Sequence, residues 1–141
     1  MPKRKKRAAG GRTGLTFNHA MIYVRDLKRA LHFYRDRLGF RLIEAFPGYA
    51  RVRSPGGRAT IALHKLGEGV RSTRSQGIRL YFESRGLDAL CRRLAAAGVK
   101  LKQKPRLMPW GWMHAYLDDP DGHELSLYWA GAKRLRRSSA R

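Results

Sequence analysis

One structural plan, written twice, constrains this 141-residue chain more than any other feature of its sequence. Residues 16–24 (TFNHAMIYV) alternate with period two, placing Asn18, Ala20, Ile22 and Val24 on one face and Phe17, His19, Met21 and Tyr23 on the other. Asp26 is placed to cap a helix whose apolar positions Leu27, Ala30, Leu31, Tyr34 and Leu38 recur at helical spacing, and Gly39 closes it. Strands are predicted at 40–46, 49–53 and 59–65, separated by the turn signals Pro47-Gly48 and Ser54-Pro55-Gly56-Gly57. The polar stretch 67–76 reads as a linker. The same order then returns: a strand at 77–83, a helical stripe of Leu87, Leu90, Cys91 and Leu94 closed by Gly98, and strands at 100–106, 111–118 and 123–129.

Gly39 and Gly98 stand 59 residues apart, Leu27 and Leu87 60 apart, so the repeat covers a whole βαβββ unit. Neither half is large enough to bury its own sheet, so the two must pack together in one α+β domain, with modules at about 16–65 and 77–130. Cys91 falls in the helical stripe and is expected as a small core residue. As the lone cysteine it supports neither an internal disulfide nor a cysteine-rich zinc site, consistent with a cytoplasmic protein. No run reaches the length of a membrane span, and no apolar leader follows the charged start.

Charge enters through its distribution. Of the 31 Lys and Arg side chains, six lie in residues 1–13 and five in 131–141, and neither end holds an acid. Residues 14–130 keep the other 20 against all 10 acids, a net +10 within the formal +21. The ends read as disordered basic arms, able to make weak, non-specific nucleic-acid contacts. The charge of the globule favours an anionic ligand over a cationic one.

Four stretches carry a family resemblance: NHAMIYVRDLKRALHFYRDRLGF (18–40), LYFESRGLDALCRRLAAAGV (80–99), PWGWMHAYLDD (109–119) and DPDGHELSLYW (119–129). In this combination the chain resembles the vicinal oxygen chelate superfamily, which includes glyoxalase I, extradiol dioxygenases, fosfomycin-resistance transferases and bleomycin-resistance proteins. The resemblance implies paired βαβββ modules forming an incomplete barrel around a cleft, often within a homodimer. In metal-using members the cleft holds a divalent cation. Carried over position by position, the first-strand histidine is His19, but the second-module histidine is replaced by Arg79. The closing glutamate is replaced by Ser126, and a further ligand position used by glyoxalase I falls on Ala62. Arginine has no lone pair to offer, and a serine hydroxyl substitutes poorly for a carboxylate. His123, in the last turn, is expected as a family-typical turn residue.

Strand period leaves a relocated set open: His19 and Glu124, with His64 or His114 as a third ligand, for Fe, Mn, Ni or Zn. Each shift moves a Cβ about 6.6 Å along its strand, and all must still converge. The expected reading is a cleft without a metal. Alternation predicts that it is lined by Phe17, His19, Met21 and Tyr23 from the first module. From the second come Arg79, Tyr81, Trp112, His114, Tyr116, Glu124, Ser126 and Tyr128. Rings stack flat ligands, and Arg79 offers either a fork to a carboxylate or phosphate or a salt bridge to Glu124. The function expected is therefore binding of a small aromatic or anionic molecule. The alternatives are a glyoxalase-like lyase or extradiol-type dioxygenase built on His19, and nucleic-acid binding by the arms. No Ser-His-Asp or Cys-His pattern and no phosphate-cradling glycine loop supports another chemistry.

Overall fold

The structure, a computed structural model, describes residues 13–14, 17–69, 73 and 77–131. The basic arms fall outside these residues except for Thr13 and Gly131. The elements are β1 (His19–Val24), α1 (Leu27–Leu31), β2 (Arg41–Phe46), β3 (Tyr49–Arg53) and β4 (Thr60–Lys65), then β5 (Arg79–Glu83), α2 (Leu87–Ala96), β6 (Leu101–Leu107), β7 (Met113–Asp118) and β8 (Glu124–Trp129). The sheets run β1-β4-β3-β2 and β5-β8-β7-β6, each opening with a parallel pair and continuing antiparallel. The duplication read from the sequence is thus a duplication of topology. The two sheets do not close into a barrel.

Each helix start and stop has a local cause. The Asp26 side chain accepts from the Arg29 N–H at 3.1 Å, which satisfies one orphan donor of the first turn. Gly39 (φ 81°) and Gly98 (φ 93°) take the left-handed conformation that ends each helix. The first helix is not a uniform α-helix over 27–38. After Leu31 it widens into a π-helical stretch, His32–Arg37, where Phe33 and Tyr34 are both buried with rings edge-to-face at 5.0 Å.

One face of each sheet and both helices share a single core. Val24, Val52, Ile61 and Leu63 come from the first module, and Cys91, Leu94, Leu117, Leu125 and Leu127 from the second. Across the seam the Phe40 and Phe82 rings meet edge-to-face at 5.4 Å. Cys91 is buried as expected, and burial, then the Asp88 charge, raises its thiol pKa.

The last turn does more than reverse the chain. Asp119 accepts the Tyr34 hydroxyl at 2.7 Å through Oδ2, and the Asp121 and His123 N–H groups, each at 2.9 Å, through Oδ1. Asp121 Oδ1 accepts the Arg25 N–H (2.9 Å) and Arg29 Nη2 (3.2 Å). His123 Nε2 lies 2.9 Å from the Tyr23 carbonyl and donates to it. His123, expected as an ordinary turn residue, is therefore part of a clamp between modules. Thr73, inside the expected linker, is buried and donates to the Asp121 carbonyl at 2.6 Å. No helix among the described residues is long and apolar enough to cross a membrane.

Candidate functional site

The face of each sheet turned away from the core carries the candidate site residues. Pairing register arranges the second sheet in rows. One row crosses it as Arg79–Glu124–Asp118, the next as Tyr81–Ser126–Tyr116–Gln103, the third as Tyr128–His114–Arg106. The sequence-predicted residues Arg79, Tyr81, His114, Tyr116, Glu124, Ser126 and Tyr128 are thus together on one face. Trp112, just before β7, stacks on Tyr128 at 5.3 Å and 10°. His19, Met21 and Tyr23 lie on the equivalent face of the first sheet. Phe17 precedes β1 and is 85% exposed.

The first row is ionic. Arg79 Nε donates to Glu124 Oε1 at 3.0 Å and Nη1 to the Tyr81 hydroxyl at 3.3 Å, while its guanidinium carbon lies 4.7 Å from the Tyr116 ring centre. Lys102 Nζ donates to Glu124 Oε2 and to Asp118 Oδ1, both at 3.1 Å. The Lys102 ammonium, and after it Arg79, holds the Glu124 carboxyl below its ordinary range. Hydrogen bonding to Tyr81 and then Glu124 keeps Arg79 charged, and its Nη2 has no partner among the described residues.

The ring row is built around His114, which is 2% exposed. The turn from Met108 to Trp112, with Gly111 at φ 93°, folds Trp110 back so that its indole N–H donates to His114 Nε2 at 3.2 Å. Nε2 is therefore the acceptor. The proton sits on Nδ1 and is donated to Ser126 Oγ at 2.8 Å. Burial, then the Arg79 charge, lowers the His114 pKa below its ordinary 6.5, in keeping with this neutral tautomer. The contact does not activate Ser126, whose oxygen is the acceptor and which is fully buried. Trp110 is absent from the residues that alternation predicts, because its role depends on a turn that period two cannot supply.

A histidine whose folded pKa is depressed contributes stability that is complete above 6.5 and is lost as pH falls through the folded value. Urea midpoints measured across this range should fall with acidification in the parent protein, and the slope should flatten in His114→Gln.

Among the described residues of one chain, the candidate ligands do not converge on a point that could hold a divalent cation. No three His, Cys, Asp or Glu side chains come together as a metal site among the described residues. His19 and Glu124, with His64 or His114, are therefore not assembled as a ligand set. Both His114 nitrogens are engaged, and both Glu124 oxygens are held by cations. His64 Nδ1 donates to the Lys65 carbonyl at 2.8 Å. His19 Nδ1 lies 2.6 Å from Asn18 Oδ1 and 3.2 Å from Arg51 Nη2, which itself donates to Asn18 Oδ1 at 2.7 Å. A guanidinium thus sits beside the one family ligand that the sequence retains.

Two βαβββ modules with equivalent first-strand positions, His19 opposite Thr60 and Arg79 opposite Glu124, define a duplicated fold with one open sheet face per module. Residues 16–127 match the Glyoxalase/Bleomycin resistance protein/Dioxygenase superfamily, and the chain belongs to it. It is 26% identical over 132 residues to a probable lactoylglutathione lyase of Synechocystis, covering 82% of this chain and 96% of that one. Among solved structures, a superfamily member from Sphaerobacter thermophilus is similar at 30% identity and a TM-score of 0.68, covering 82% of this chain and 98% of the other. TnmS3, an antibiotic-binding protein from a Streptomyces species, is similar at 26% identity and a TM-score of 0.67, covering 82% and 96%.

Proposed function

We propose that the protein is a binding module of this superfamily whose second-sheet face takes a flat, anionic small molecule. The observation that carries the reading is Arg79, charged, standing where the resemblance expects a metal-ligating histidine, with Nη2 free of partners among the described residues. A carboxylate would bind at Arg79, and its ring would lie along Trp112, Tyr128 and Tyr81. The likeness to TnmS3, an antibiotic-binding protein, supports a ligand-holding role for such a cleft. The exposed rings Tyr23, Phe46 and Tyr81 support closure of the cleft by a second copy.

Titration of naphthoate by calorimetry tests this reading. Arg79→Gln should weaken binding about tenfold, the scale of one charge-assisted hydrogen bond. Unchanged affinity overturns the role of Arg79. Elemental analysis tests the enzyme reading: one equivalent of a transition metal, lost in His19→Ala, would favour a lyase or dioxygenase instead.

A further inference from the structure

The first sheet carries a second charged feature. Register places His19, Thr60, Arg53 and Arg41 in one row across β1, β4, β3 and β2, on the face turned away from the core. Arg41 and Arg53 are direct partners in an antiparallel pair. Two like charges so placed have Cβ atoms about 5 Å apart and repel, which costs stability unless something neutralises them. Neither makes a hydrogen bond or ion pair among the described residues, where the neighbouring Arg51 is bound to Asn18 and Thr60 and lies 4.0 Å from Glu44. The row is reachable, since Arg41 is exposed and Arg53, Thr60 and His19 are partly so. Thr60 Oγ accepts from Arg51 Nε at 3.3 Å, leaving its own proton to donate.

We propose that this row is an oxyanion site for a phosphoryl group, bound by Arg41 and Arg53 with the Thr60 hydroxyl beside Arg53 on the next strand. Two guanidinium forks at this separation suit a dianion with several oxygens better than a single carboxylate. Two rungs further along lies a row of rings, Tyr23, His64, Tyr49 and Phe46, about 13 Å from the arginines. It gives a flat group carried by the same ligand a surface to stack on. The inference uses a different sheet from the Arg79 site and stands or falls separately from it.

The test is calorimetry with inorganic pyrophosphate, phenyl phosphate and a single-stranded oligonucleotide. Each is titrated into the full chain and into Arg53→Gln, Arg41→Gln and Arg92→Gln. Arg92, exposed on α2, is the charge-matched control. The first two variants should each weaken pyrophosphate about tenfold, and the control should leave it unchanged within about twofold. Preference for phenyl phosphate or for the oligonucleotide tells whether the phosphoryl group comes from a small ester or a nucleic-acid backbone. Equal losses in all three variants would overturn the proposal, because binding would then follow overall charge, and so would no loss in any, because binding would then lie elsewhere.

Discussion

Asp119→Ala should lower the unfolding free energy by about 3 kcal/mol, read as a shift of the urea midpoint at constant slope. The carboxylate is 4% exposed and serves three donors: the Tyr34 hydroxyl and the N–H groups of Asp121 and His123. Alanine strands all three, and a buried donor without a partner costs about 1–3 kcal/mol. Asp119→Asn keeps an acceptor for the two N–H groups and should cost clearly less. The pair also separates in pH. Burial raises the Asp119 pKa above its ordinary 3.8, against the pull of Tyr34 and the backbone donors. A raised folded pKa means stability that is complete below the unfolded value and lost as pH rises through the folded one. A side-chain amide cannot titrate, so that decline should vanish in Asp119→Asn. A midpoint unmoved by Asp119→Ala would show that the last turn does not clamp the modules.

Phe40→Ala should cost about 3–5 kcal/mol, the range for emptying an aromatic site in a packed core. Phe40 is 5% exposed and touches Tyr34 at 5.8 Å in its own module and Phe82 at 5.4 Å in the other. The loss should therefore be coupled to Phe82→Ala: the double variant should lose less than the two single losses combined. Strict additivity, or two separate unfolding transitions in Phe40→Ala, would show that the modules do not share one core.

Much of this architecture could be read from the sequence because two physical periods dominate it. Alternation in TFNHAMIYV and in ELSLYW separates Ile22, Val24, Leu125 and Leu127, which pack inward, from His19, Tyr23, Ser126 and Tyr128, which face out. The duplicated glycines needed φ > 0, and only glycine takes that conformation cheaply. The Arg79–Glu124 pair was legible as an alternative because parallel neighbours on one face are forced together.

What alternation could not show depends on chain reversals and long-range bonds. The bulge between Leu42 and Glu44 breaks the period in β2, which hid the pairing of Arg41 with Arg53. Trp110 reaches His114 only through a glycine turn. Asp119, Asp121 and His123 read as turn chemistry, although their partners Tyr34, Arg25 and Tyr23 lie 85 or more residues away. The competition for the proposed ligand atoms was hidden for a related reason: period places residues on a face, but only the full hydrogen-bond pattern shows that both Glu124 oxygens and both His114 nitrogens already have partners within the chain.

Under the proposed function, the second-sheet face holds an anion through Arg79 and needs no metal to do so. The most direct test is a naphthoate titration followed by calorimetry with and without a strong chelator, alongside naphthylmethylammonium as the cationic counterpart. Naphthoate should bind with an affinity that the chelator leaves unchanged and that exceeds that of the cation. Loss of naphthoate binding with the chelator, or tighter binding of the cation, would contradict it.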